Sequence, residues 1–387
     1  MRILQVHTPY RQAGGEDVVV ETEARLLEEA GHTVATHLIH NPERVGASLA
    51  SLAKAPWNTG EAATVLETAR RFGPDVVHVH NTWFALSPAV FPTLKSAGFP
   101  VVATIHNFRL TCVNGLLYRD GGPCMDCVGR LPWPGIMHRC YRHSAIQSGI
   151  VAVTITSHRR RRTWANDVDR IIVLTRFSAD VLGRAGVPAG LMVVKPNAVN
   201  DPGQRTRPPS AGGSVLFVGR LTEEKGIMDL VEAWGRTHRP GLDLVVLGDG
   251  PLLEDVRLAR AAGVDVLGAA SPGEVNRRML EARALVLPSR WFEGMPMVLL
   301  EAMAAGLPVV VPDHGAMVEI AGSGGIPFRA LDVDSLAGAL DLLSNGDLAD
   351  RRGAESRGAY LDRYTPIGNA EALTDIYALA ISRKRGI

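Results

Sequence analysis

Two series of short apolar runs rich in β-branched residues constrain this chain more than any other feature of its sequence. The first series lies at residues 3–7, 33–39, 76–80, 101–105, 171–174 and 192–194, and helical patterns separate its members. The second lies at residues 215–218, 244–247, 264–267, 285–287 and 309–311. Short apolar strands that alternate with helices are typical of parallel sheets covered on both faces. The sequence therefore predicts an α/β fold with two doubly wound, Rossmann-like domains.

A break in this rhythm separates the two series. Residues 200–203 read Asn-Asp-Pro-Gly and residues 208–213 read Pro-Pro-Ser-Ala-Gly-Gly, which is the composition of turns and linkers. We therefore expect a first domain at 1–198 and a second at 199–365. Ligands of doubly wound sheets bind beyond the carboxyl ends of the strands. Two such domains facing across a cleft would hold the functional site between them.

The composition excludes several classes of protein. The 387 residues are 46% hydrophobic and include 41 basic and 40 acidic side chains, a net charge of +1. These values exclude a disordered or fibrous chain and a generally basic nucleic-acid-binding protein. No apolar run reaches the roughly 18 residues of a membrane helix, and the first residues lack a signal-peptide pattern. We therefore expect a cytoplasmic protein.

Charge is distributed unevenly along the chain. Residues 1–195 carry 21 basic and 15 acidic side chains, whereas the remainder carries 20 and 25. Between Asp126 and Asp167 there is no acidic residue but there are seven arginines, four of them consecutive: Arg159, Arg160, Arg161 and Arg162. The four end a predicted helix that begins near Ser144, so they fit a solvated helix end. They also fit peripheral contact with the inner, anionic membrane surface, or with a phosphate-bearing acceptor. A nucleic acid is not expected as a partner, because no aromatic residues are interleaved.

The strongest functional signal follows the predicted strand at 285–287. Glu293 lies in the loop after this strand, Pro296 suits the first position of a helix, and Glu301 falls on the second turn of that helix. The N-terminus of a helix binds phosphate, and each carboxylate can hold a pair of hydroxyls. An anion together with a polyol indicates a sugar nucleotide. The alternative is that Glu293 caps the helix and Glu301 is a solvated surface residue.

A second motif follows the predicted strand at 215–218. Arg220 and Lys225 lie on a loop bounded by Gly219 and Gly226, at the carboxyl end of the strand. Two cations in this position suit a diphosphate. The alternative is a solvated loop in which Glu223 and Glu224 pair with the two cations.

Taken together, the two motifs resemble those of family-4 retaining glycosyltransferases of the GT-B architecture. Arg220 and Lys225 match the diphosphate-binding pair of that family, and Glu293 and Glu301 match its E-x7-E motif. Four further landmarks match: the Gly14-Gly15 loop, His106, Asn197, and Gly248 in a Gly-Asp-Gly-Pro turn. The resemblance covers nearly the whole chain. It implies two Rossmann-like domains facing across a cleft and a last helix, at 366–387, that crosses back to the first domain.

The resemblance also implies a role for each matched residue. Glu293 and His106 would contact the donor sugar, and Glu301 would hold the ribose. The nucleotide base would lie near Leu267, which follows the predicted strand at 264–267. The implied catalytic residues are His106, Glu293, Arg220 and Lys225. The implied donor-binding residues are Gly14, Gly15, Asn197, Gly219, Arg220, Lys225, Gly248, Leu267, Glu293, Gly294, Met295, Pro296, Met297 and Glu301.

The implied reaction is the retaining transfer of a sugar from a nucleotide-sugar donor to a hydroxyl acceptor, without a protein nucleophile. The acceptor would be a saccharide or a lipid-linked molecule, in polysaccharide, glycolipid or glycoconjugate biosynthesis. A sugar-nucleotide epimerase and a non-catalytic sugar-nucleotide-binding protein share the architecture and stay as alternatives. A dehydrogenase is a poor fit, because the turn after residue 7 lacks Gly-x-Gly-x-x-Gly.

No catalytic divalent metal and no cofactor besides the nucleotide-sugar co-substrate are expected. A metal-binding Asp-x-Asp should follow a strand, but Asp167-Val168-Asp169 precedes one. The other triplet, Asp332-Val333-Asp334, lies before a helix that we expect to begin at Ser335 with Asp334 as its N-cap.

The four cysteines form a separate pattern, Cys112-x11-Cys124-x2-Cys127-x12-Cys140, in a segment rich in Gly, Pro and Arg. A C-x2-C pair with two outer thiols fits a closed tetrahedral zinc site, and a metal would help to order a segment with a poor core. Buried free cysteines and a redox dithiol are the alternatives. We expect the segment, at about 108–143, to be an insertion in the first domain that marks a subset of the family.

Overall fold

The computed structural model describes residues 1–10, 14–42, 52–236, 239–259 and 262–385, which form two compact units. The first unit contains Met1–Leu117, Met125–Pro196 and the chain from Ile367 onward. The second contains Tyr118–Cys124 and Asn197–Pro366. The last two residues of the predicted C-terminal helix, 386–387, lie outside the described residues.

The secondary-structure elements are numbered in chain order. The strands are β1 (Arg2–His7), β2 (Thr33–Leu38), β3 (Val76–Val79), β4 (Val101–Ile105), β5 (Tyr118–Arg119), β6 (Gly122–Pro123), β7 (Arg170–Val173), β8 (Met192–Val194), β9 (Ser214–Val218), β10 (Asp243–Leu247), β11 (Val264–Gly268), β12 (Ala284–Val286), β13 (Val309–Pro312) and β14 (Gly325–Phe328). The α-helices are α1 (Gly15–Glu29), α2 (Thr59–Phe72), α3 (Val90–Ser96), α4 (Trp133–Met137), α5 (Ala145–Arg160), α6 (Thr163–Asn166), α7 (Arg176–Arg184), α8 (Ile227–Gly235), α9 (Leu253–Ala259), α10 (Pro272–Glu281), α11 (Met297–Ala304), α12 (Met317–Ala321), α13 (Val333–Asp341), α14 (Gly346–Arg363) and α15 (Pro366–Arg385).

Each unit is built on one parallel sheet. The strand order is β2-β1-β3-β4-β7-β8 in the first unit and β11-β10-β9-β12-β13-β14 in the second. Strands β3, β4, β12 and β13 are buried along their whole length, as expected where helices cover both faces. The predicted α/β class with two doubly wound, Rossmann-like domains is therefore confirmed.

Strand order reverses at the first strand of each sheet. In the first unit β1 lies between β2 and β3, and in the second β9 lies between β10 and β12. Successive connections leave opposite faces at such a reversal and open a crevice at the carboxyl edge, where ligands bind. The loop after β9, residues 219–226, and the loop after β12, residues 287–296, flank the reversal of the second sheet; we name them the β9 loop and the β12 loop.

The sequence analysis did not predict strand β14, nor the two short hairpin strands β5 and β6. Strand β14 reads Gly-Ile-Pro-Phe and pairs with β13 at the edge of the second sheet. Glycine and proline are poor strand formers, so the segment lacks the β-branched signal of its neighbours. An edge position tolerates proline because one side of the strand needs no ladder hydrogen bonds.

The C-terminal helix α15 packs on the first unit, as the resemblance implied. Its Leu373, Ile376 and Tyr377 are buried in one cluster with side chains of the first sheet, including Ile3 and Val102. Burial of this apolar stripe holds the end of the chain on the first sheet, although α14 before it belongs to the second unit.

Two expected helix starts shift. Pro296 is the N-cap residue of α11 and not its first helical residue. Helix α13 begins at Val333 and its N-cap is Asp332, because the Asp332 carboxylate accepts a hydrogen bond from the Ser335 N–H at 2.9 Å. The expectation that Asp334 is the cap was therefore wrong; its carboxylate pairs with Arg236.

The cysteine-bearing segment is divided between the units. We expected all of it in the first domain, but Tyr118–Cys124 groups with the second unit. These residues form the β5–β6 hairpin, whose Asp120 and Gly121 have φ angles of 50° and 80°. Asp-Gly favours this turn because both positions need a positive φ. The Tyr118 hydroxyl donates a hydrogen bond to Glu223 Oε1 at 3.0 Å, which holds the hairpin on the β9 loop.

Candidate active site

The β9 loop packs tightly against the β12 loop because of one glycine. Gly226 has a φ of 69°, and a Cβ at this position would lie 2.0 Å from the Pro288 carbonyl oxygen. Any other residue would force the two loops apart. This close approach brings Lys225, the residue before Gly226, to the β12 loop.

A second close contact joins the β9 loop to the loop after β10. A Cβ at Gly248 would lie 1.8 Å from the Gly219 carbonyl oxygen, so the two strand ends can approach only through glycine. Backbone hydrogen bonds from Gly219 to Leu247 and from Leu221 to Asp249 hold this contact. The predicted residues Gly219 and Gly248 therefore shape the backbone at the sheet reversal.

Glu293 is a buried carboxylate with two close polar partners. It is buried, its Oε1 lies 2.6 Å from Lys225 Nζ, and the same oxygen accepts a hydrogen bond from the Ser289 hydroxyl at 2.8 Å. Burial raises the pKa of Glu293, but the Lys225 ammonium and these hydrogen bonds outweigh it and leave the pKa below its ordinary value. Glu293 is therefore ionised at neutral pH and does not cap helix α11.

Arg220 and Lys225 differ in how much of their charge is available. Lys225 is paired with Glu293 and lies 5.2 Å above the centre of the Trp291 ring. Arg220 is 63% exposed and only loosely paired with Glu224 at 3.5 Å. The solvated-loop alternative therefore fails for Lys225, whose partner is neither Glu223 nor Glu224. Arg220 keeps a guanidinium that an anion can reach.

Glu301 lies one and a half turns into helix α11. Its side chain is half-buried, burial raises its pKa, and no described basic residue forms an ion pair with it. Within the described chain, no side chain caps the N-terminus of α11 at Pro296. The carboxylate oxygens of Glu301 can therefore accept hydrogen bonds from the hydroxyl groups of a ligand.

Asn197 lies beside the start of α11. Its backbone N–H donates to Met295 Sδ at 3.2 Å, its side-chain amide lies 3.5 Å from Met297 Sδ, and the residue is 4% exposed. Its Oδ1 is buried without a hydrogen-bond partner among the described residues. Leu267, by contrast, is half-exposed at the end of β11 and has no such contacts with Asn197 or α11 in the described structure.

The sequence analysis missed an arginine that positions the β12 loop. Arg290 forms two hydrogen bonds with the Asp229 carboxylate of helix α8, at 2.6 and 2.5 Å. Its backbone N–H donates to the Glu224 carbonyl at 2.9 Å. The β12 loop is thus tied to both α8 and the β9 loop. Arg290 opens the motif that carries Glu293, so its position was the available signal.

In the first unit, His106 follows strand β4 and belongs to a chain of histidines. Its Nε2 lies 3.2 Å from His80 Nδ1, and the two rings stack at 5.5 Å. Burial is the main reason that the pKa of His106 falls to about 4, so the imidazole is neutral at pH 7. The adjacent His78 hydrogen-bonds to Thr104 and, through Nδ1 at 2.8 Å, to the hydroxyl of Tyr377 on α15.

A buried ion pair lies behind these histidines. Lys195 Nζ donates to Glu23 Oε1 at 2.6 Å and to Asn369 Oδ1 at 3.0 Å, and all three residues are buried. The free oxygen of Glu23, Oε2, lies 3.8 Å from His80 Nε2. Sequence reasoning missed this network; the His-x-His pattern at 78–80 and the lysine two residues before Asn197 were its only signals.

The Gly14-Gly15 loop begins helix α1. Gly14 is the N-cap residue, and its N–H donates to the Asp17 carboxylate at 2.7 Å. The other oxygen of Asp17 bonds to His7 Nε2 at 2.8 Å. The loop residues just before Gly14, 11–13, lie outside the described chain.

The arginine run ends helix α5, as predicted. His158 is buried and accepts from the Thr163 hydroxyl while donating to the Pro56 carbonyl. Arg160, Arg161 and Arg162 are exposed, and the Arg161 guanidinium lies over Trp57. The histidine therefore anchors the helix end while the arginines face solvent.

Cys112 and Cys127 are buried, whereas Cys124 and Cys140 are half-buried. The Cys112 thiol donates to Asn114 Oδ1 at 3.0 Å.

Across the described residues, no helix combines the length and the apolar character that crossing a membrane requires.

Two family models match the chain. The model described as Glycosyltransferase Family 4 matches residues 13–201, and the model described as Glycosyl transferases group 1 matches residues 212–345. The chain is a glycosyltransferase.

Curated relatives and solved structures agree with this assignment. The glycosyltransferase is 28% identical over 335 residues to glycogen synthase of Mycobacterium tuberculosis, which covers 83% of the chain and 72% of the relative. It is 26% identical to alpha-D-kanosaminyltransferase of Streptomyces kanamyceticus, over 83% of the chain and 82% of the relative. It is 34% identical to the amylovoran biosynthesis glycosyltransferase AmsK of Erwinia amylovora, over 34% of the chain and 36% of the relative.

Two solved structures share the GT-B fold of this glycosyltransferase. HepE of Anabaena in complex with UDP superposes with a TM-score of 0.68 at 17% identity, over 98% of this chain and all of that one. Sucrose-phosphate synthase of Thermosynechococcus elongatus superposes with a TM-score of 0.72 at 18% identity, over 99% of each chain. At such identities the likeness concerns the fold.

Replacing Lys225 by methionine should reverse the pH dependence of stability at Glu293. In the wild type the lowered pKa of Glu293 contributes stability that is present above the unfolded pKa and is lost as the pH falls through the folded pKa. Without the ammonium, burial alone raises the pKa, so the variant loses stability as the pH rises. The two melting temperatures should converge as the pH falls below about 4 and should separate by about pH 7, where the loss reaches up to about 3 kcal/mol.

The matched control is Lys54→Met, which removes an exposed lysine from the first unit. Its melting temperature should follow that of the wild type at both pH values. A Lys225→Met deficit that is equally large at both pH values would show that Glu293 is not the group that Lys225 stabilises.

Proposed function

We propose that this glycosyltransferase transfers a hexose from a nucleotide-sugar donor with retention of configuration, and that the donor binds to the second unit. The observation that carries the proposal is the Lys225–Glu293 pair at the reversal of the second sheet. A paired cation and carboxylate at that edge offer one group for the diphosphate and one for the sugar hydroxyls. Arg220 supplies a second cation within the same loop.

The donor would be held by charge at its diphosphate and by hydrogen bonds at its sugar and its ribose. Arg220 and Lys225 neutralise the diphosphate, together with the uncapped N–H groups of helix α11. Glu293 accepts hydrogen bonds from sugar hydroxyls, and Glu301 accepts them from the ribose. The buried Oδ1 of Asn197, which lacks a described partner, supports a hydrogen bond from the donor at this point.

The reaction is costly because negative charge builds on the departing diphosphate while positive charge builds on the sugar ring. Fixed cations stabilise the first of these charges, and one well-placed group of this kind contributes about 3 kcal/mol. No protein nucleophile takes part: the departing phosphate oxygen takes the proton of the acceptor hydroxyl on the same face of the sugar. His106, neutral at pH 7, contributes a hydrogen bond to the sugar and not a charge.

Two cations on the β9 loop do the work that a divalent ion does in other transferases, so we propose that turnover needs no divalent metal. The nucleotide base is read near Leu267, and UDP donors are the first to test because the HepE structure contains UDP. The AmsK relative supports a place in polysaccharide biosynthesis.

Replacing Arg220 by alanine should abolish donor binding and reduce turnover by about a hundredfold, because the leaving diphosphate loses one of its two cations. In a thermal-shift panel of UDP-, GDP- and ADP-sugars, one class should stabilise the wild type by about 2.7 kcal/mol at a hundred times its Kd. Arg236→Ala, which removes an arginine from the same unit outside the β9 loop, should keep the shift. A donor shift retained in Arg220→Ala, with unchanged turnover, would contradict the donor site.

We propose that the four cysteines bind one structural zinc ion. Support comes from the C-x2-C spacing and from the burial of Cys112 and Cys127 in a segment rich in Gly, Pro and Arg. The ion would add no step to catalysis; it would order the segment.

Protein purified without chelator should contain about one zinc ion per chain, because four thiolates form a closed site. Replacing Cys124 and Cys127 by serine should remove the zinc and lower the melting temperature. Met125→Ser, which removes a sulfur between the two cysteines, should keep the zinc. A wild-type protein free of zinc in elemental analysis would refute the proposal.

We also propose that the first unit contacts an anionic membrane surface. Arg160, Arg161 and Arg162 are exposed, and so are three large apolar side chains in the same acid-free segment: Leu131, Trp133 and Met137. Arginines draw a protein to anionic lipids, and apolar side chains enter the interface. Helix α4, which carries Trp133 and Met137, is therefore a candidate for the inserted element.

Replacing Arg160 and Arg162 by glutamine should weaken binding to phosphatidylglycerol vesicles about thirtyfold, because each basic residue near the surface contributes about 1 kcal/mol. Co-sedimentation with vesicles measures the effect, and neutral phosphatidylcholine vesicles should bind neither form. The matched control replaces Arg70 and Arg71, an exposed pair on helix α2. Equal losses in both double variants would indicate a general charge effect and contradict a specific surface.

A further inference from the structure

The β9 loop carries two acids between its two cations. We assign the cations, Arg220 and Lys225, to the donor diphosphate, and the residues between them include Glu223 and Glu224. An acid three or four residues from an arginine can pair with it, and such a pair competes with an anionic ligand for the same charge. Glu224 pairs with Arg220 only loosely, at 3.5 Å. The availability of Arg220 to an anion therefore depends on where the other acid, Glu223, is held.

The Glu223 carboxylate is held by the β5–β6 hairpin and not by Arg220. Its Oε1 accepts the hydrogen bond of the Tyr118 hydroxyl, and a Cβ at Gly121, in the hairpin turn, would lie 3.5 Å from the same oxygen. Arg290 Nη1 lies 3.8 Å from this oxygen. In the described part of the chain Glu223 forms no ion pair with Arg220. The arginine keeps its exposed guanidinium for this reason.

Tyr118 restrains Glu223 without bringing a charge to the diphosphate site. Burial, and then the Glu223 carboxylate, raise the pKa of Tyr118 to about 12, against a smaller lowering by the Arg290 guanidinium. The hydroxyl is therefore protonated at neutral pH and donates to the carboxylate. A hydrogen bond to an ionised acceptor is about twice as strong as one between neutral groups. One neutral hydroxyl thus holds one carboxylate in place.

Arg290 attracts Glu223 in the same direction but is committed to another carboxylate. Its guanidinium forms two hydrogen bonds with Asp229, and these bonds raise the pKa of Arg290. Its 3.8 Å separation from Glu223 is too long for a hydrogen bond. Among the residues that the structure describes, Tyr118 alone donates a hydrogen bond to the Glu223 side chain. Loss of this one hydroxyl should therefore release the carboxylate.

The hairpin that carries Tyr118 comes from the first half of the chain, 105 positions before Glu223, but it groups with the second unit. Each of its strands has only two residues, so its own ladder contributes little to its position. The turn also contacts the second unit at Gly122, where a Cβ would lie 3.6 Å from Leu331 Cδ1. Removing the Tyr118 hydroxyl alone leaves this contact in place.

We propose that Tyr118 is a positioning residue of the donor site: its hydroxyl holds the Glu223 carboxylate away from Arg220 and keeps that guanidinium open to the diphosphate. The inference rests on the proposed function, because it takes the β9 loop as the diphosphate site. A hairpin from the cysteine-bearing segment thereby sets the affinity of the second unit for its donor.

The test measures the binding of UDP, GDP and ADP to the full chain by calorimetry at low ionic strength. These ligands isolate the diphosphate from contacts with the donor sugar. Tyr118→Phe removes the hydroxyl and keeps the ring, so the released carboxylate competes with the ligand for Arg220. The nucleoside diphosphate that binds to the wild type should bind about fivefold more weakly to this variant.

The second arm repeats the comparison in a Glu223→Gln background. Glutamine carries no charge, so the double variant Tyr118→Phe/Glu223→Gln should bind the ligand as tightly as Glu223→Gln alone, within about twofold. The matched control Tyr364→Phe removes, from the same unit, a hydroxyl that bonds to the Ile320 carbonyl, and it should leave the Kd unchanged. In steady-state assays Tyr118→Phe should raise the KM for the donor and leave kcat unchanged, because the competition weakens ground-state and transition-state binding alike.

The outcomes separate this role from the donor site itself. An unchanged Kd in Tyr118→Phe, or tighter binding, would overturn the role of Tyr118. An equal loss in the wild-type and Glu223→Gln backgrounds would overturn it as well, because the hydroxyl would then act through hairpin packing and not through the carboxylate. Failure of all three nucleotides to bind to the wild type, or undiminished binding in Arg220→Ala, would instead refute the donor site, and the role of Tyr118 with it.

Discussion

At the first strand of each parallel sheet the strand order reverses, and neighbouring loops leave the carboxyl edge toward opposite faces. The polar groups of the second unit depend on this constraint. The β9 and β12 loops flank the reversal, and Gly226 lets them touch. Lys225 on the β9 loop then pairs with Glu293 on the β12 loop, and Arg290 ties the β12 loop to helix α8. The charged site is a consequence of strand order and of one close backbone contact.

Burial acts differently on Glu293 of the second unit and on the histidines of the first. In the second, a carboxylate stays ionised because an ammonium and a hydroxyl compensate for its desolvation. In the first, three histidines that neighbour one another in space, His78, His80 and His106, are neutral because burial lowers the pKa of each. A paired charge suits a diphosphate and hydroxyl-rich donor.

Several parts of the chain carry features that donor binding does not use. The cysteine-bearing segment contributes a hairpin to the second unit, while its remainder and helix α5 belong to the first. Helix α5 contributes the buried Val151 and Ile155 and ends in the exposed arginines.

The sequence by itself determined the two-sheet fold, because β-branched runs separated by helices report strand burial locally. It also identified Arg220, Lys225, Glu293 and Glu301 as donor-site candidates, through motifs next to strand ends; their roles stay predictions. It missed β14, whose glycine and proline carry no strand signal. It also predicted Asp334 as the helix cap in place of Asp332, because aspartate is a good cap and the two residues lie only two positions apart. Only the tertiary structure paired Lys225 with Glu293 and joined His78 to Tyr377 from 299 residues away. Such pairings depend on contacts between distant segments and on burial, and neither leaves a local pattern in the chain.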